Sequence, residues 1–179
     1  MVRVRWRVVA AWLVLCVVGF GPDLPQRPDL TDWLWRLLTG RWAGEAPWGV
    51  AHFQWMGLWP PLIALQLADR WRARPIPAWP FLLASVGLGM YALLPWFAFA
   101  QTDPGPPGPR WARSRTPTAV LLAVGIALAG WAAATDDLTA YLRQIPTDGF
   151  LWPMAVDCVA FAALWWYLIR APNPPLEQP

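Results

Sequence analysis

Two residues in this chain have chemistry beyond filling space. Asp157 is the only acid inside a long apolar run, FLWPMAVDCVAFAALWWYLI at 150–169, and His52, in AHFQW, is the only histidine. A carboxylate at the centre of a hydrocarbon layer costs roughly 2.5–3.5 kcal/mol on insertion scales, so Asp157 has to be neutral, paired or facing water. Its possible uses are a proton or ion relay, a ligand anchor, or a hydrogen-bonded fastener between helices. His52 can offer one ring nitrogen to a chlorophyll or haem, titrate near neutrality, or bond a carbonyl or water at a helix entry. For both residues the structural use is favoured. No second acid or basic partner lies within any apolar run, and paired axial ligation needs more than one candidate ligand.

The usual signatures of catalysis are missing. There is no GxxxxGK[ST], GxSxG or HExxH, and no acidic cluster suited to a divalent metal. Cys16 and Cys158 stand singly in apolar runs, without CxxC spacing or a partner histidine, and read as small hydrophobes. Nothing argues for an enzyme, and no particular cofactor is implied. Trp48, Trp59, Trp79, Trp96, Trp152, Trp165 and Trp166 fall toward the ends of apolar runs, as an aromatic belt at the membrane interface does.

The elements that position these residues follow from composition. Of 179 residues, 57% are apolar and 14% charged, against about half and a quarter in soluble domains. Disorder is excluded, since it needs low hydrophobicity and high charge. All fourteen basic residues are arginine, scattered with a net charge of +3, which excludes a nucleic-acid surface. Five apolar runs, at about 4–21, 47–68, 78–100, 118–135 and 150–169, each approach the ~20 residues that cross ~30 Å of hydrocarbon as a helix. The expectation is an all-α polytopic bundle of five transmembrane helices, forming one integral membrane domain over 1–179. The first run resembles a secretory signal but lacks a small-x-small cleavage site, so it reads as an uncleaved span.

Between the first two runs, DLTDWLWRLLTG places Leu30, Trp33, Leu34, Leu37 and Leu38 on one stripe. This predicts an interfacial amphipathic helix over 29–39, capped by Asp29 and ended by Gly40. Residues 69–77 read as a tight basic turn, 101–117 as an irregular Pro/Gly-rich loop, and 136–149 as an acidic connection with a helical turn or two. The tail APNPPLEQP cannot continue a helix. Five alternating spans put seven arginines on each side, so charge does not orient the chain, although the three before the first run favour a cytoplasmic N-terminus.

Depth arithmetic on five spans sets His52 and Asp157 about 12 Å apart, entering from opposite faces, which disfavours a His–Asp pair. The same arithmetic puts Ser85 and Trp131 near the level of Asp157, with a hydroxyl and an indole N–H to offer it. The fourth run carries small residues at four-residue separation (Ala119/Ala123, Gly125/Ala129, Ala129/Ala133), a face for close helix packing, with Ala84, Gly87 and Gly89 of the third run as partners.

The stretch 56–101 resembles a family of uncharacterised polytopic membrane proteins of cyanobacteria and plastids. The matching residues are Met56-Gly57-x-Trp59-Pro60, Pro77-x-Trp79-Pro80-Phe81 and Leu93-Leu94-Pro95-Trp96, with Met154-x-x-Asp157 as a further echo. Family members more often carry Tyr after that last proline. The resemblance implies a bacterial inner or thylakoid membrane and a link to photosynthesis, and it brings no catalytic residues. The function expected is non-enzymatic: assisting the assembly, stability or organisation of a larger membrane complex, with lipid and other membrane proteins as partners. The alternatives are a small transporter or proton-conducting protein using Asp157, and a pigment-binding subunit using His52.

Overall fold

A computed structural model describes residues 5–68, 76–99 and 109–170. The expected basic turn and the C-terminal tail lie almost wholly outside these residues, as does the first half of the 101–117 loop. The described residues are all-helical, with no strand among them. The helices are α1 (Trp6–Phe20), α2 (Leu30–Leu38), α3 (Pro47–Gln66), α4 (Trp79–Leu88), α5 (Met90–Phe99), α6 (Arg115–Thr135), α7 (Leu138–Gln144) and α8 (Leu151–Arg170). Two of them, α6 and α8, are long and apolar enough to cross a membrane.

Helix directions follow from residue pairs. In α3 and α8, His52 lies against the main chain of Met154, Met56 meets Cys158 and Trp59 stacks on Phe161, always at a separation of 102 residues. These two helices therefore run parallel. Helix α6 runs against α3, since Asp136 at its end bonds the Trp48 amide and Gly125 packs on Trp55. Helix α1 runs against α5 and α8: the Arg5 amide donates to Ala98 and the Trp152 indole to the Val18 carbonyl.

The third apolar run departs from expectation. Residues 78–100 do not form one continuous span. The chain reverses at Gly89, and α4 and α5 fold back as a hairpin whose two ends meet, with the Trp96 indole donating to the Ile76 carbonyl at 2.9 Å. Each arm has ten residues, about 15 Å at 1.5 Å per residue, half of what a span needs. The physical cause is local. Gly89 takes φ +60° and ψ −148°, a conformation essentially reserved for glycine.

The bundle thus has two unlike ends. At one end lie the start of α1, the end of α3, both ends of the hairpin, the start of α6 and the end of α8. At the other, α2 and α7 cover the starts of α3 and α8, with Trp33, Leu37, Val50, Tyr141, Leu151 and Met154 buried together. The amphipathic stripe of α2 is as expected in Trp33 and Leu37, which are buried, while Leu38 points outward. Asp29 stands at the expected cap position but makes no cap bond; its carboxylate pairs with Arg27 and Arg36 instead. Gly40, at φ +74°, ends the helix region in the left-handed conformation.

Small residues of α6 pack differently from expectation. Gly125 and Ala132 are buried, Gly125 against Trp55 of α3, whereas Ala119, Ala123, Gly130 and Ala133 face outward. The close partner is the second apolar run and not the third. With the third run folded into a hairpin, α6 lies along α3 instead.

Candidate functional site

Aspartates cap helix after helix in this chain. Asp137 Oδ1 accepts the Thr139 amide at the start of α7, Asp148 Oδ1 accepts Phe150 and Leu151 amides at the start of α8, and Asp136 Oδ2 accepts the Trp48 amide in the first turn of α3. A carboxylate there satisfies orphan donors and meets the positive end of the helix dipole. All three stand at the end of the bundle that carries α2 and α7.

Asp157 does the same from a distance. It sits two turns into α8, 2% exposed, and its Oδ1 accepts the amide of Met90, the first residue of α5, at 2.7 Å. The reversal at Gly89 creates that need, because a helix started in the middle of a bundle has amides with no partner and no water to take them. Glycine is required twice over at the tip. A Cβ on Gly89 would lie 2.5 Å from Cγ of Asp157 and collide with both of its oxygens. The second oxygen, Oδ2, is buried without a described partner, as is the hydroxyl of Tyr91, the next residue along α5.

The expected partners of Asp157 are placed otherwise. Ser85 is buried, but its hydroxyl donates to the Leu82 carbonyl within its own helix at 2.7 Å. Trp131 lies near the end of α6, partly exposed, tilted against Trp42. The donor is a main-chain amide, which no side-chain inventory reveals. The signal in the sequence is the glycine pair in VGLGM, where a sharp tip is possible in mid-run.

His52 lies in the first turns of α3 and bonds the Tyr141 hydroxyl of α7 through Nδ1, at 2.5 Å. Tyr141 in turn stacks on Trp48, and burial pushes its phenol above the usual pKa. The tyrosine therefore remains protonated, and its hydroxyl can donate to Nδ1 or accept from it according to the tautomer of His52. A pigment or haem metal at Nδ1 would have to displace this bond. Because α3 and α8 start at the same end, His52 is level with Met154, about 4.5 Å along the axis from Asp157. The earlier separation of ~12 Å presumed that the third run crosses. The imidazole and the carboxylate nevertheless hold different partners, Tyr141 and Met90, and do not pair.

Among the described residues no three His, Cys, Asp or Glu side chains gather as a metal site. Comparison with protein families, with characterised proteins and with solved structures found no match.

Proposed function

We propose that this chain is an integral membrane protein of four crossings, α1, α3, α6 and α8, with the α4–α5 hairpin re-entering the bilayer from one face. In this reading it is a non-enzymatic component that assists assembly or organisation of a larger membrane complex. The observation that carries the non-catalytic reading is the position of Asp157. The one acid inside the apolar runs is buried and holds the Met90 amide, so it builds the fold. Irregular backbone at mid-depth is tolerated in a membrane where protein buries it, which is the service Asp157 performs.

Charge supports the four-crossing reading. With residues 78–100 re-entrant, the segments joined to the hairpin end hold ten of the fourteen arginines: Arg3, Arg5, Arg7, Arg70, Arg72, Arg74, Arg110, Arg113, Arg115 and Arg170. The other end holds Arg27, Arg36, Arg41 and Arg143, with most of the acids. Seven against seven becomes ten against four, and the hairpin end is the cytoplasmic one. The outward faces of α6 and α8 carry Val120, Val124, Ile126, Val159, Trp166 and Tyr167, apolar surface suited to lipid or to a neighbouring subunit. The family resemblance over 56–101 supports a bacterial inner or thylakoid membrane as the setting, with a photosynthetic complex as the partner.

A second reading, proton conduction through Asp157, draws on the unpartnered Oδ2 and the Tyr91 hydroxyl. Extraction in mild detergent, followed by identification of co-purifying proteins and pigments, tests the assembly role. The same set of partners is expected for wild type and for Asp157→Asn, which retains an oxygen for the Met90 amide. Recovery of the intact wild-type chain without any partner would count against the assembly reading.

A further inference from the structure

We propose that the groove between α3 and α6 binds one acyl chain of an anionic phospholipid whose headgroup is held by Arg110 and Arg115. The groove measures about 660 Å³, within the range of small-molecule sites, and its walls are almost wholly apolar. Pro61, Ala64 and Leu65 of α3 line one side, Thr116, Pro117, Val120 and Leu121 of α6 the other, and Trp111 and Ser114 of the turn before α6 complete the lining. A trough so largely apolar selects a hydrocarbon tail, but not which lipid carries it.

The headgroup is chosen by the residues next to that lining. Trp111 belongs to a short 3-10 turn, Arg110–Arg113, that leads directly into α6 at Arg115. Arg110 and Arg115 are both exposed, and among the described residues neither pairs with a carboxylate. The sequence from 110 to 135 contains no acid. Helix α6 begins there without a side-chain cap, since the Ser114 hydroxyl donates to the Trp111 carbonyl instead. Two guanidiniums without a carboxylate partner among the described residues, and the positive end of a 21-residue helix, thus stand next to the lining residues Trp111, Ser114 and Thr116 of the trough. Their charge and chemistry complement a phosphate on a diacyl glycerol, and Trp111 sits where an indole prefers to lie, at headgroup depth. The inference rests on the membrane reading above, which places this end at the anionic cytoplasmic leaflet.

The test is native mass spectrometry of the detergent-purified full chain with phosphatidylglycerol, phosphatidylcholine or glycerol 3-phosphate added. Wild type is expected to retain phosphatidylglycerol in preference to phosphatidylcholine and to ignore glycerol phosphate. Arg110→Gln/Arg115→Gln should weaken phosphatidylglycerol retention on the order of thirtyfold, from the usual attraction of two surface arginines to anionic lipid. Val120→Trp, which fills the trough and leaves the arginines, should weaken retention of the whole lipid as well. Equal retention of both lipids, or retention untouched by either variant, overturns the proposal. Competition by glycerol phosphate as strong as by the whole lipid overturns it too, in favour of a free-phosphate site. A chain that needs detergent yet retains no phosphatidylglycerol sinks the lipid site and spares the membrane reading; one recovered without detergent sinks both.

Discussion

Gly89→Ala should be among the most damaging single-methyl changes in this chain. Two independent terms act on it. The backbone at φ +60°, ψ −148° is a glycine conformation, and holding any other residue there costs about 1–3 kcal/mol. The added Cβ also displaces the Asp157 carboxyl, and leaving the buried Met90 amide without its acceptor costs about 1–3 kcal/mol more. The expected loss is about 2–6 kcal/mol. Asp157→Ala alone should lose the cap without the backbone term. The double variant should then be less destabilised than the two singles combined, by about 1–3 kcal/mol, because the cap is lost only once. Gly87→Ala is the control: it lies in α4 with nothing within 4 Å of its Cβ, and should be neutral or stabilising. Equilibrium unfolding in mixed micelles, followed by circular dichroism, measures all four. A loss below about 1 kcal/mol for Gly89→Ala, or full additivity in the double variant, would refute the reasoning.

Other predictions follow from the same geometry. With Cys16 and Cys158 replaced by alanine, cysteines placed at the exposed Trp79 and Phe99 should react with an impermeant maleimide from the same side of the membrane; labelling from opposite sides would mean a full crossing. Tyr141→Phe removes the hydroxyl bonded to His52 Nδ1 and should cost about 1–2 kcal/mol in the same unfolding assay, with His52→Ala adding little on top. Gly125→Ala puts a methyl 2.7 Å from Cζ2 of Trp55 and should cost about 1–3 kcal/mol, whereas Gly130→Ala, with open space around it, should be tolerated.

The helices were largely legible in the sequence, since apolar runs and the DLTDWLWRLLTG stripe report directly on burial. The direction of the third run was not. A 23-residue apolar stretch looks the same to a hydropathy argument whether it crosses or folds back at a glycine, and only the tertiary contacts of Trp96 and Met90 distinguish the two. That one ambiguity propagated. It inverted the relative direction of α3 and α8 and misplaced His52 against Asp157. Depth along five spans also points to Ser85 and Trp131 as partners of Asp157, whereas the donor is the Met90 amide exposed by the turn itself. Asp157 stood out as the residue to explain because charge inside an apolar run is costly; its role depended on a backbone feature that side-chain chemistry does not encode.

Whether Asp157 fastens the hairpin or carries protons is decided most directly by the decay of an imposed pH gradient in proteoliposomes containing the purified chain. Asp157→Asn keeps an acceptor for the Met90 amide and removes the exchangeable acid. The account predicts that wild type and Asp157→Asn vesicles lose the gradient at the same slow rate as protein-free vesicles. Rapid decay with wild type that returns to the protein-free rate in Asp157→Asn would contradict it, and would make the hairpin tip a proton path.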